Sequence, residues 1–97
     1  MPRYVLLVKL TDQGAKNIKE APAQIEESTK ALEAAGCKMI DHYFVMGEYD
    51  AVAIVEAPSD EVVMTQLVGI ATLGSIRTTT LKAFTTEEFA EMLKRLP

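Results

Sequence analysis

The chain is poor in the residues that usually announce a chemistry. Among its 97 residues there is one cysteine, Cys37, one histidine, His42, and no tryptophan. A single cysteine excludes an internal disulfide, and an unpaired thiol is what a reducing compartment permits. With no second thiol or imidazole to join them, Cys37 and His42 do not make the ligand spacing of a metal site. No glycine-rich loop that would cradle a phosphate and no Ser, His and Asp in triad arrangement can be found, so neither metal nor cofactor is expected. Positive charge is scarce as well: ten scattered Lys and Arg stand against fourteen Asp and Glu, for a net charge of −4 and a pI near 4.9. A nucleic-acid partner calls for a clustered basic surface and is excluded on that ground. No apolar run approaches a membrane span, and Met1-Pro2-Arg3 leads straight into a β-rich segment without a signal-peptide core. The expected compartment is the cytoplasm, with no membrane partner.

What is present is a regular alternation of strand and helix signals over a single domain, residues 1–97, of which 48% are hydrophobic. A chain of this size is near the small end of what can bury an adequate core alone, and oligomerisation is the natural supplement. The organising stretch is Phe44 to Ala57, two apolar runs separated by Gly47, Glu48 and Asp50, which reads as a hairpin with strand three starting at Tyr49-Asp50. Before it, Arg3 to Leu10 is strand one, apolar on both faces, so both faces are expected to be covered. Thr11-Asp12 caps a short helical segment through Ile18, and Pro22 fits the first turn of a longer helix to Ala35. Ile25, Ser28, Leu32 and Ala35 share its inner side, and Gly36 ends it before strand two, Cys37 to Met46.

After the hairpin, Ser59 caps a helix with Asp60 and Glu61 in its first turn and an inward stripe of Val63, Leu67, Ile70 and Leu73. Gly69 interrupts it, a small residue where close approach to the sheet is expected; Gly74 closes it. Ile76 to Phe84 is strand four, and Thr85 with Glu88 opens a last helix whose stripe is Phe89, Met92, Leu93 and Leu96. The order β-α-β-β-α-β plus a C-terminal helix predicts an α+β, ferredoxin-like fold: a four-stranded antiparallel sheet with helices on one face. The second face then remains apolar and uncovered. A homodimer, or a higher homo-oligomer, with sheets packed face to face and a pocket between them is expected.

Several stretches carry a family resemblance: Tyr4 to Leu10, Thr11-Asp12-Gln13-Gly14 with Asn17-Ile18-Lys19, Met46-Gly47-Glu48-Tyr49-Asp50, Val55-Glu56-Ala57-Pro58, and Leu73 to Thr78. Together they resemble the GYD domain proteins, with Glu48 standing between the glycine and tyrosine of the name-giving triplet. The resemblance implies a dimeric α+β barrel and no defined activity. Residues 47–84 also resemble, more weakly, the ligand-binding domain of Lrp/AsnC-type regulators, which implies an amino acid bound between protomers near the Gly-x-Tyr-Asp turn. The helix-turn-helix half of those regulators has no counterpart in this sequence.

Individual residues carry both a functional and a plainer reading. Asp50 suits a ligand ammonium or general-base work, but its plainer reading, a turn aspartate bonding local backbone amides, is the favoured one. His42, with Tyr43, is a candidate proton shuttle or simply a structural histidine; Asp41 beside it in sequence points to the other face. Arg77 can grip a carboxylate in bidentate fashion or join a surface ion pair, and Lys9, on an otherwise apolar face, either reaches a pocket or snorkels outward. Tyr49 completes the expected ligand-binding set of Lys9, Tyr49, Asp50 and Arg77, with His42, Tyr43 and Asp50 as candidate catalytic residues. Cys37 reads as an inert structural thiol. The stretch from Gln13-Gly14 to Lys19 reads as a mobile flap. These features predict a module that binds a small polar molecule, amino acid or similar metabolite; a cofactor-independent monooxygenase or isomerase and a ligand-free structural oligomer are the alternatives.

Overall fold

Arg3–Leu10 forms β1, the strand on which the computed structural model of all 97 residues is built, because its apolar side chains must be buried on both faces. β1 is followed by α1 (Asp12–Lys16), a 3-10 turn (Ile18–Glu20), α2 (Ala21–Ala34), β2 (Lys38–Phe44), β3 (Ala51–Glu56), α3 (Asp60–Ala71), β4 (Ile76–Ala83) and α4 (Thr86–Leu93). The strands make one sheet in the order β2-β3-β1-β4, every neighbouring pair antiparallel. This is the ferredoxin-like arrangement that the element order predicts, with β1 and β3 in the centre.

The helix boundaries follow local chemistry. Pro22 occupies the first turn of α2, and the 3-10 turn before it marks the bend expected at that proline. Ser59 accepts from the Val62 amide and Thr85 with Glu88 forms a complete capping box. Gly36 and Gly74 close their helices at φ 87° and 81°, a backbone region that side chains with a Cβ avoid. Strand boundaries are tighter than the apolar pattern suggests. β2 runs over Lys38–Phe44 rather than Cys37 to Met46, and β3 starts at Ala51 rather than Tyr49, because Tyr49 and Asp50 complete the connection. There the Val45 amide donates to the Asp50 carbonyl at 3.0 Å and the Asp50 amide to that of Val8 at 2.8 Å.

α2 and α3 cover one face of the sheet. Nine buried residues make the core, among them Tyr4, Leu6, Leu32, Cys37, Val55, Val63 and Leu67. Burial pushes the Cys37 thiol pKa up, which keeps it in the unreactive form expected of it. Gly69 does not approach the sheet: it lies on the solvent side of α3, with open space where a Cβ would stand. α4 buries none of its residues, and its stripe of Phe89, Met92, Leu93 and Leu96 faces outward. Only 13 of the 97 residues are buried, so much of the apolar surface of the sheet and of α4 has no partner in the chain.

Candidate functional site

The strand register sorts side chains onto two faces. Tyr4, Leu6 and Val8 of β1 pair with Val55, Ala53 and Ala51 of β3 and point at the helices. Val5 and Leu7 alternate with them onto the helix-free face, beside their β3 partners Ile54 and Val52. A bulge in β2 between Met39 and Asp41 leaves Ile40 without a partner. It shifts the alternation, so that Met39 and His42, three residues apart, both line the helix side while Asp41 and Tyr43 pair with Ile54 and Val52 on the open face.

On that open face, at the C-terminal end of β1, Lys9 stands directly opposite Arg77. Both side chains are exposed and neither belongs to any of the four ion pairs of the chain, Arg3–Glu56, Lys30–Glu26, Lys82–Asp60 and Lys94–Glu91. At the far end of the same face Arg3 meets Glu56 at 3.0 Å. Lys38 faces Glu56 there from β2, and Asp41 borders Ile54 in the middle of the face, whereas the Lys9–Arg77 end holds two cations in register and no ion pair, an arrangement suited to an anion.

Asp50 lies at the same end of the sheet but not on the same face. One carboxylate oxygen accepts from the Leu10 amide at 2.8 Å and extends the β1–β3 pairing beyond Ala51, the first residue of β3. The plain backbone-bonding reading of Asp50 therefore describes one of its oxygens, although the amide belongs to the neighbouring strand rather than to its own turn. Tyr49 is half-buried in the connection just before it. The expected binding set is gathered at one end of the sheet, with Lys9 and Arg77 on the open face and Asp50 bordering the helix side.

The candidate catalytic residues are not brought together. His42 is on the helix side, edge to face with Phe44 at 5.2 Å between ring centres, and burial holds its pKa below the ordinary value. Tyr43 projects from the opposite face, exposed, its hydroxyl 3.5 Å from an Asp41 oxygen, at the outer limit of a hydrogen bond. No three of the His, Cys, Asp and Glu side chains gather as metal ligands do.

The single chain also has an apolar cavity on the helix side. This cavity of about 110 Å³ lies between α2, α3 and the sheet, bordered by His42, Phe44 and Asp50. Expectation placed a pocket against the open face; this cavity belongs to the other one. Its cause is legible in the strand Ala51-Val52-Ala53-Ile54-Val55, where small residues alternate with branched ones and the small ones face the helices.

The segment expected to be a mobile flap is pinned instead. Thr11 caps α1 by accepting from the Gly14 amide, its own amide donates to the Ser75 carbonyl at 3.0 Å, and its hydroxyl donates to Gly74. Gln13 adds a bond to the Leu73 carbonyl at 3.3 Å. Gly14 is buried because Ser75 passes directly over it: a Cβ there would stand 2.1 Å from the Ser75 carbonyl oxygen. Glycine serves here as a spacer between backbones rather than as a hinge.

Residues 4–93 match the GYD domain. The chain belongs to the GYD domain family. Across its full length it is similar to a Thermus thermophilus protein named "Glutamine synthetase and cystathionine beta-lyase binding protein": 35% identity over 95 residues, 97% of this chain and 100% of that protein. Among solved structures, MtbAldR superposes with a TM-score of 0.66 at 18% identity, covering 87% of this chain and 52% of its own. The Mycobacterium tuberculosis leucine response regulatory protein LrpA gives 0.57 at 21%, covering 88% and 51%. This GYD chain thus spans about half the length of those two regulators, which are of the type that the weaker resemblance names. A solved structure from Thermus thermophilus gives a TM-score of 0.57 at 24% identity, covering 89% of this chain and 96% of its own. At such identities the three structures establish the fold alone. No helix of this GYD protein is long and apolar enough to cross a membrane.

Proposed function

We propose that this GYD protein is a small oligomeric binding module of the cytoplasm. Two copies pair through the helix-free faces of their sheets, and a small anionic or carboxylate-bearing metabolite is held at the edge of that interface by Lys9 and Arg77, with Tyr49 reaching its polar remainder; Asp50, which borders the helix side, stands outside this site. The observation that carries this reading is the in-register Lys9–Arg77 pair, two exposed cations on the open face that join none of the chain's ion pairs. Opposed like charges weaken a strand pair by about 0.2–1 kcal/mol, and an anion turns that cost into attraction. The Thermus thermophilus relative, named for binding two enzymes, supports a further step: the assembled module docks on enzymes as its protein partners.

Native mass spectrometry of gently purified protein, alone and mixed with glutamine synthetase and cystathionine beta-lyase from the same organism, tests both steps. The wild-type chain is expected as a dimer or a multiple of it, with a reproducible added mass that the Lys9→Gln, Arg77→Gln double variant lacks, and in complex with at least one of the enzymes. An added mass retained equally by the double variant removes Lys9 and Arg77 from the site.

A further inference from the structure

The methyl side chains of Ala51 and Ala53 cannot fill the space between the central strand and α2 and α3, and the cavity of about 110 Å³ is the result. Its walls are apolar: Leu6 from below, Ile25 and Leu32 from α2, Leu67 and Ile70 from α3. Wall atoms around such a void lack dispersion partners, and a guest of the right size supplies them. An apolar cavity of about 150 Å³ is known to stay dry and to take up benzene, so the present one suits a single small ring or a short branched chain.

The polar groups at its border narrow the chemistry. Besides Asp50 the polar lining groups are Gln24, Ser28, His42, Ser75 and Thr78; burial favours neutral His42 and no Lys or Arg is present, so a carboxylate or phosphate finds no fixed counter-ion there. Asp50 is the one acid, and while one of its oxygens takes the Leu10 amide at 2.8 Å, the other takes no hydrogen bond from the protein. We infer that this cavity is a binding site for a small apolar molecule without negative charge, bearing one O–H or N–H donor that meets the second oxygen of Asp50. It lies across the sheet from Lys9 and Arg77 and holds a different class of ligand, so it stands or falls independently of the proposed function.

Phenol is the probe, with benzoate as the anionic control, titrated into the full chain carrying labelled methyl groups. Saturable shifts are expected at Leu6, Ile25, Leu67 and Ile70, with benzoate at least about tenfold weaker, roughly 1.4 kcal/mol. Ala53→Leu fills the cavity from the sheet and is expected to weaken phenol binding about tenfold or more by the same conversion. If Ala53→Leu proves unfolded by circular dichroism, Ser28→Leu fills the space from α2 and carries the test. Shifts centred on Val5, Leu7 and Ile54, the absence of saturation, benzoate binding as tightly as phenol, or undiminished affinity in a folded filled variant would each overturn the assignment.

Discussion

Lys9 and Arg77 face each other across the β1–β4 ladder, on the side of the sheet that no helix covers. Within one chain the pair is a local liability, and its removal should show as a gain in stability paired with a loss of binding. Arg77→Glu places an acid opposite Lys9 and is expected to raise the stability of the chain by about 0.5 kcal/mol, since a cross-strand ion pair replaces a repulsion. The same variant should lose the anionic ligand. Urea melts and native mass spectrometry of one preparation read both; a variant that is destabilised yet still retains the ligand would contradict the placement.

Gly14 under Ser75 predicts an intolerant position. Gly14→Ala puts a methyl group against a carbonyl oxygen that is itself held by Thr11, so backbone must move, at an expected cost of about 1–3 kcal/mol. Gly69→Ala, in open space on α3, is the matched control and should stabilise by about 0.5–1 kcal/mol through helix propensity. Chemical denaturation midpoints that fall in the reverse order would show that α1 does not dock on Ser75.

His42 gives the fold a dependence on acid. Burial lowers its pKa, so on acidification the unfolded chain takes up the proton before the folded one does. The contribution of neutral His42 is complete above the unfolded pKa of about 6.5 and is lost progressively as pH falls below it toward the lower folded value. His42→Gln should flatten the fall in urea midpoint between about pH 7 and pH 5. An unchanged slope would mean that His42 is solvated.

Tyr4 governs the alkaline side. Burial, and then its hydrogen bond to Asp60, push the phenol up to about 12, and Asp60 is lowered first by that bond and second by Lys82. Because the folded pKa is the higher one, stability is complete below about pH 10 and declines as pH rises toward 12. Tyr4→Phe should remove that decline and cost about 1 kcal/mol at neutral pH, the net worth of one hydrogen bond. Equilibrium unfolding from pH 8 upward checks it, and a wild-type and variant that decline in parallel would assign the alkaline loss to other groups.

Local signals made most of the fold legible. Gly36, Gly74, Ser59 and the Thr85–Glu88 box act within one turn of chain, and the alternation in β1 is visible residue by residue. What escaped depends on contacts distant in sequence. Gly14 and Gln13 look like a hinge until Ser75 and Leu73, about sixty residues on, are seen to hold them. The unpaired Ile40 leaves no mark in composition, yet it decides which face His42 shares. Lys9 and Arg77 could each be suspected singly, but only the register of β1 on β4 puts them opposite each other. The alternation of alanine with valine and isoleucine in β3 is present in the sequence and points to the helix-side cavity, whereas the apolar open face points to a pocket between protomers.

Sedimentation equilibrium of wild type and Ile54→Glu reads whether the open sheet face is buried against a second copy, as proposed. Ile54 is half-buried in the middle of that face, where a carboxylate can be solvated in a free chain but not between two sheets. A wild-type mass at least twice the 10.6 kDa of the chain is expected, with a folded Ile54→Glu protein of 10.6 kDa. A wild-type protein that sediments at 10.6 kDa, or an assembly that Ile54→Glu leaves intact, would contradict that burial.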